Sequence, residues 1–361
     1  MKNTFGSAIT LTLFGESHGP YIGAVLDGLA PGMEINLEYI NEKLRKRRPS
    51  GKISTKRVEP DELIIASGEF NGYTTGTPLT LLIVNTNTRS GDYSSLLSKP
   101  RPSHADYTAN CKYHGFQDYR GGGHFSGRVT VALVAAGAVL SYALSKKGIR
   151  VGTHIKKLGG ITDREITEGD IDALSALDFP VLDCDKAAAM RERIEAVASD
   201  GDSIGGVLES IVTGVPCGVG EPWFDSVESQ LSHILFSVPA VKGVEFGLGF
   251  GFADAMGSSA NDPFVTDGEQ VYTKTNNNGG INGGITNGMP IIFRTAIKPT
   301  PSIYKKQKTV DLSEMQNTEL LIEGRHDPAI IHRAAAVIDA VAAIAVADLL
   351  AVRFGTDYLG K

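Results

Sequence analysis

Cysteine is scarce in this chain. Its 361 residues hold three, Cys111, Cys184 and Cys217, far apart and odd in number, so neither a disulfide framework nor a zinc ribbon follows from them. An excess of basic residues is also missing. The formal net charge is −6, and a general nucleic-acid binder needs a basic footprint to neutralise phosphates. The N-terminus, MKNTFGSAIT, lacks the apolar core of a signal peptide. The longest apolar runs carry Arg333, Asp339 and Asp348 or fall short in length, which argues against a membrane span and for a cytoplasmic protein. The period of a solenoid is absent. No G-x-G-x-x-G follows a strand with an acidic residue at the right distance, so a Rossmann dinucleotide site is excluded. His104, Asp106, His114 and His124 are metal ligands by type, yet they match no common zinc spacing, and no metal is expected. Ser17 lies between glycines as in a nucleophile elbow, but Pro20 and the β-branched run after it favour a strand, against a serine hydrolase.

Glycine, by contrast, is abundant. The chain has 42, within a composition that is 42% apolar and 21% charged. That is globular, and long enough for one large domain or two intimate ones. The stretch from Arg101 to Arg128, RPSHADYTANCKYHGFQDYRGGGHFSGR, mixes histidines, arginines, aspartates and glycines without any apolar period. It runs straight into the apolar segment 129–144. A charged, glycine-rich loop at the mouth of a buried helix anchors a site on a rigid scaffold. The triplet Gly121-Gly122-Gly123 admits positive φ or close approach of backbone to a ligand.

Along the chain, residues 4–14 and 22–29 read as strands. Asn36 caps a helix over 37–48 that Pro49 stops. That helix ends in basic residues, and eight fall between Lys43 and Arg57. They are either a solvated helix end that complements the dipole or a local anion trap. Strands follow at 63–67 and 79–84. Residues 150–200, with a helix near 186–198, read as a peripheral excursion in which His154 is structural. Ile204–Leu208 then echoes Ile22–Leu26, a helix over 225–235 echoes the first one, and Asn287–Pro290 echoes Thr75–Pro78. The apolar run 329–351 echoes 129–144; helices apolar on all sides belong in a core. The pattern predicts an α+β body of two pseudo-two-fold halves, about 1–148 and 200–361, forming a single domain with sheets covering central helices.

Two further segments carry chemistry. The run Asn276–Gly288 is either a pair of tight turns or a backbone cradle for a flat or phosphorylated ligand. Lys298-Pro299-Thr300-Pro301-Ser302 offers a cation, hydroxyls and a stiff backbone suited to a phosphate. His326-Asp327-Pro328 ahead of an apolar run is a good N-cap. Histidines with an aspartate and many arginines indicate an enzyme that moves protons on a polyanionic small molecule.

GESHG at 15–19, RPSHADYT at 101–108, YRGGG at 119–123, PAVKGVEFG at 239–247, GGINGGITNG, KPTPSI at 298–303 and GRHDP at 324–328 resemble, in this order, the motifs of the chorismate synthase family. The resemblance implies a duplicated β-α-β sandwich, assembled as a homotetramer. It implies a carbon–oxygen lyase that eliminates phosphate from 5-enolpyruvylshikimate 3-phosphate, the last step of the shikimate pathway to aromatic amino acids, with reduced FMN. By the same resemblance His18 protonates the departing phosphate, His104 protonates the reduced flavin, and Asp327 takes part in proton removal. FMN contacts fall on His124, Phe125, Ser126, Ala240, Gly283, Lys298, Pro299, Thr300, Pro301, Ser302 and Arg325. Substrate or NADP contacts fall on Arg47, Arg48, Lys52, Arg101 and Arg128. The chain departs from the pattern twice: many members read RSSARET where it has His124–Thr130, and Lys52 stands where an arginine is expected. A flavin reductase without elimination activity, or a binding protein that keeps only the fold, are the alternatives; intact His18, His104 and Asp327 argue against the second.

Overall fold

The structure, a computed structural model, describes residues 2–49, 53–54, 60–86, 98–322, 324 and 326–360. Two five-stranded antiparallel sheets enclose a pair of apolar helices. The first sheet is built from β1 (Thr4–Phe5), β2 (Thr10–Gly15), β3 (Tyr21–Asp27), β4 (Leu63–Ser67) and β5 (Leu79–Val84), in the order β1-β2-β3-β5-β4. Helix α1 (Leu37–Arg47) joins β3 to β4. After β5 come α2 (Asp106–Tyr113) and the long α3 (Thr130–Lys146).

The second half repeats this plan. Its strands are β6 (Arg150–Leu158), β7 (Ile161–Thr162), β8 (Gly206–Thr213), β9 (Val241–Phe246) and β10 (Ile291–Ile297), in the order β7-β6-β8-β10-β9. Between β7 and β8 lie α4 (Ile171–Ala176) and α5 (Cys184–Ser199), and α6 (Val227–Leu235) joins β8 to β9 as α1 joins β3 to β4. Helix α7 (Ile331–Phe354) follows β10 as α3 follows β5. The central pairings correspond: Tyr21 to Leu26 run against Val84 to Leu79, and Gly206 to Val212 against Ile297 to Ile291.

The core follows from the sequence pattern. Ile22, Ala24 and Leu26 on β3 alternate inward beside Leu79, Leu81 and Ile83 on β5. Helices α3 and α7 are buried along nearly their whole length. Both are long and apolar enough to cross a bilayer, so the expectation that the apolar runs fall short fails; 78% and 89% of their apolar windows are buried inside the molecule instead. They cross where a Cβ on Gly137 would stand 2.5 Å from the Ala340 Cα, so only glycine allows this approach.

Local rules explain α1, and the structure corrects three expectations. Asn36 Oδ1 accepts from the Tyr39 N–H at 2.9 Å, and α1 ends at Arg47 ahead of Pro49. The single strand expected over residues 4–14 is two, broken at Gly6. The buried Asp348 carboxylate on α7 draws the N–H groups of Ser7, Ala8 and Ile9 out of the ladder at 2.8–3.1 Å. Residues 150–158 are not peripheral: β6 pairs with β8 inside the second sheet. The outer face of that sheet is covered by the segment carrying α4, so both faces are buried and no alternation survives in the sequence. His154 is structural there, fully buried between Asp163 at 3.2 Å and Glu209 at 3.0 Å. Finally, Asp327 is not a cap. Helix α7 begins at Ile331 with Ile330 at the cap position and no side-chain cap bond.

Candidate active site

The N-terminal ends of α3 and α7 open onto a cavity of about 890 Å³. Leu11 and Leu13 of β2, Leu133 of α3, Ile234 of α6 and Val337 of α7 give it an apolar wall. Lys2, Arg47, Arg101, Arg128, Lys242, Lys298 and Arg333 also line it, against Asp327 as the only carboxylate among the described lining residues. An acidic chain thus presents a cationic cavity, which favours a polyanion.

Two carboxylates set behind the wall hold the arginines. Asp61 is fully buried and accepts from Arg47 Nη2 at 3.1 Å, Arg48 Nε at 3.3 Å and Arg128 Nη1. Among the described residues this one carboxylate stands among three guanidinium groups. Arg128 also donates to Asn85 Oδ1 at 3.1 Å, which fixes its plane. Asp106, at the start of α2, accepts from Arg101 Nε at 2.8 Å and Arg101 Nη2 at 2.7 Å. Burial pushes the Asp106 carboxyl up, but the hydrogen bonds and charges of Arg101 and His104 outweigh it and hold the group well below the usual carboxylate range.

Asp106 also fixes His104. The ring Nδ1 stands 2.6 Å from Asp106 Oδ1 and 3.0 Å from Arg101 Nη2. The ionised Asp106 carboxylate can only accept, so at 2.6 Å Nδ1 donates to it, and in the neutral ring Nε2 is the basic nitrogen. His18 is oriented by a different device: Ser17 Oγ lies 2.9 Å from its Nδ1.

The triple glycine threads between these two histidines. A Cβ on Gly121 would stand 2.3 Å from His18 Cε1, and one on Gly122 would stand 3.1 Å from His104 Cε1. Both residues have positive φ, 60° and 90°. The glycines therefore let backbone press against two imidazole rings, and Gly121 also lines the cavity. His124 follows, donating from Nδ1 to the Gly15 carbonyl at 2.8 Å, so its ring is tied to the end of β2.

The second half supplies the opposite wall. Lys298 Nζ donates to the Ser103 carbonyl at 2.5 Å. Burial and the neighbouring Lys242 lower its pKa from the usual range. Thr300 Oγ1 is buried without a hydrogen-bond partner among the described residues, in the same segment as the cavity-lining Pro301 and Ser302. Ala240 lines the wall with a φ of 75°. Asp327 Oδ2 accepts from Arg333 Nη1 at 2.7 Å. Beside it, burial lowers the His326 pKa.

The cavity thus brings together His18, Arg47, Arg101, His104, His124, Phe125, Ser126, Arg128, Ala240, Lys298, Thr300, Pro301, Ser302 and Asp327. It does not include Arg48, whose guanidinium turns to Asp61 and the Pro60 carbonyl, or Pro299. Gly283 is also absent from the lining. It forms the turn between paired strands Ile281–Asn282 and Ile285–Thr286, with open space around its Cα. The run Asn276–Gly288 is a turn-rich hairpin, not a wall of this cavity. Lys52 and Arg325 lie outside the described residues. Sequence reasoning gives Asp61, Lys242 and His326 no role of their own, though Lys242 and His326 lie in quoted motifs. Arg333 had one signal, a charge inside an otherwise apolar run.

Comparison with known proteins adds four findings. A family model described as chorismate synthase matches residues 9–351. Chorismate synthase of Thermococcus gammatolerans is 47% identical over 346 residues, covering 96% of each chain. That of Dehalococcoides mccartyi is 46% identical over 351 residues, covering 97% of this chain and 96% of its own. A crystal structure of chorismate synthase matches with a TM-score of 0.70 at 26% identity, over 97% of this chain and 93% of that one.

Proposed function

The chain belongs to the chorismate synthase family, which forms chorismate in the shikimate pathway, and on that premise we propose that it eliminates phosphate from 5-enolpyruvylshikimate 3-phosphate with reduced FMN bound. The observation that carries this reading is one cavity holding His18, His104 and Asp327 together with Arg47, Arg101 and Arg128. The reaction breaks the carbon–oxygen bond to phosphate and removes one ring proton, so it needs anion binding and proton handling in one place.

The residues present fit a flavin mononucleotide. Thr300 Oγ1 is a buried hydroxyl in want of a partner among the described residues. Lys298 and Ser302 flank it on the lining, and the apolar wall suits a flat ring. These residues, with Ala240, Ser126 and Phe125, would hold the cofactor. His124 would offer only the ring edge left over from its bond to Gly15. Reduced FMN, when bound, supplies an electron-rich ring that stabilises positive charge as phosphate leaves.

The chain's own groups do the rest. Arg47, Arg101 and Arg128 bind the phosphate and carboxylates of the substrate by charge-assisted hydrogen bonds. Their backing by Asp61 and Asp106 sets their planes in advance, so little reorganisation is needed on binding. His18, held through Nδ1 by Ser17, delivers a proton from Nε2 to the departing phosphate. His104, held by Asp106, exchanges a proton at Nε2. Asp327 accepts the proton that leaves. Positioned acid–base groups of this kind are worth about 10²–10⁴-fold each. The aromatic side chains of Trp223, Phe224 and Phe250, 84–91% exposed, support assembly with further copies, as a homotetramer.

The test is phosphate release, assayed anaerobically with dithionite-reduced FMN. Release is expected with reduced flavin and not with oxidised flavin. Equal rates in both, or none in either, would overturn the reading. NADPH in place of dithionite tests whether the chain reduces its own flavin.

A further inference from the structure

Arg333 stands where a helix disfavours it. It is the third residue of α7, in the first turn, where unpaired N–H groups and the dipole favour an anion. No acidic residue occupies that turn, and no side chain caps it. Among the described residues its guanidinium bonds to two different parts of the chain. Nη1 donates to Asp327 Oδ2 at 2.7 Å, and Nε donates to the Arg47 carbonyl at 2.7 Å. Both partners are mostly shielded from solvent, with side-chain exposures of 15% for Arg333 and 14% for Asp327.

Asp327 itself lies outside every helix and strand, ahead of α7. The Arg47 carbonyl lies in the last turn of α1, and the Arg47 guanidinium reaches the cavity and Asp61. We propose that Arg333 is a positioning residue for the reaction. It borrows the rigidity of a buried helix to fix the Asp327 carboxylate relative to the arginine cluster that binds the substrate. A planar fork suits this task, because one rigid group reaches both partners in fixed directions. A lysine ammonium, a point donor on a flexible stem, cannot reproduce that grip. This inference rests on the function proposed above and adds a residue to it.

The test is a double-mutant cycle on the full-length protein with reduced FMN, using Arg333→Gln, Asp327→Asn and the pair. Arg333→Gln is expected to lower kcat by about tenfold or more, as loss of alignment does. KM and flavin Kd should stay within about twofold, since the interaction matters only in the transition state. In the Asp327→Asn background, Arg333→Gln should cost little further activity, because its partner is already disabled. Arg333→Lys guards against misfolding of the glutamine variant: its melting temperature should stay near the wild type while kcat remains depressed. Independent, multiplicative losses in the cycle would overturn the proposal, as would Arg333→Lys at the wild-type rate. A raised KM with unchanged kcat would also overturn it, since Arg333 would then bind substrate directly. A wild type that releases no phosphate would overturn the functional reading, and this inference with it. An active wild type with multiplicative losses overturns this inference alone.

Discussion

Gly121→Ala tests whether the glycine triplet exists to seat the histidines. The added methyl has two separable effects. The first is backbone strain, because Gly121 has φ 60°, and a left-handed conformation costs an alanine about 1–2 kcal/mol. The second is steric. The new Cβ would stand 2.3 Å from His18 Cε1 and 2.5 Å from Ser17 Oγ, and ordinary contact begins at 3.4 Å. His18 must therefore retreat by about 1 Å, and its bond to Ser17 must distort. A misplacement of about 1 Å in a reacting group can cost on the order of 10²-fold in rate, or about 2.7 kcal/mol of barrier. Gly148→Ala separates the two effects. Gly148 has a similar φ of 76°, but its Cβ would meet nothing within 4 Å. Both variants should melt a few degrees lower, on the scale of about 2–4 °C per kcal/mol. Only Gly121→Ala should lose turnover, by about a hundredfold in the phosphate-release assay. If both variants turn over like the wild type, His18 does not depend on the glycine and the packing argument is wrong. If both lose activity equally, general strain explains the loss.

Four other outcomes are expected. Asp106→Asn removes the charge that fixes the His104 tautomer, and turnover should fall by at least about tenfold with flavin affinity retained; an unchanged rate would show that His104 needs no such partner. The same carboxylate, held below the usual range, contributes stability above pH 3.8 that is lost as the pH falls further, and Asp106→Asn should flatten the acid limb of the melting curve. His332 is buried with its Nε2 on Ser54 Oγ, and burial, with Arg333 and Arg191 nearby, lowers its pKa from 6.5 to about 3; between those values only the unfolded chain takes up the proton, so stability should fall with pH by up to about 1.4 kcal/mol per unit, a slope that His332→Gln should remove. Gly137→Val drives a side chain into Ala340 and should destabilise by at least about 1–3 kcal/mol in a denaturant titration, with wild-type stability ruling out the close helix crossing.

Much of the scaffold was legible because local rules and the global fold agree. Asn36 and Pro49 bracket α1, and the apolar runs that became α3 and α7 could only be core helices. The paired strands β3 and β5 match the expected limits closely, since one face of each is buried and alternation survives. Strand β6 was lost because His154, Thr153 and Lys156 are polar residues satisfied by Asp163, Ser210 and Glu209 from distant positions. The break at Gly6 depends on Asp348, more than three hundred residues away. Asp327 has every local mark of a cap, yet an arginine six residues on takes its carboxylate. The cavity-lining histidines, Asp106 beside His104 and the glycine triplet were readable from motifs; Asp61, which holds the arginines, was not, because nothing local marks it, and nothing local distinguishes a glycine pressed on a ring from one that meets a ligand.

The duplication explains where the cavity lies, and its asymmetry explains the chemistry. Equivalent helices α3 and α7 bring their N-terminal ends to the same place, one from each half, and both ends favour negative charge. The segments leading into them differ. The path into α3 carries His104, the glycines and Arg128, backed by carboxylates that lie behind the wall. The path into α7 carries Asp327, exposed to the cavity and steadied by an arginine drawn from the helix itself. In the first half the arginines face the ligand and the acids support them. In the second the acid faces the ligand and an arginine supports it. A symmetric pair of halves would offer only anion binding, twice over. Inverting the order of charge in one half sets a carboxylate opposite the arginines, the arrangement that the proposed elimination calls for and simple anion binding does not.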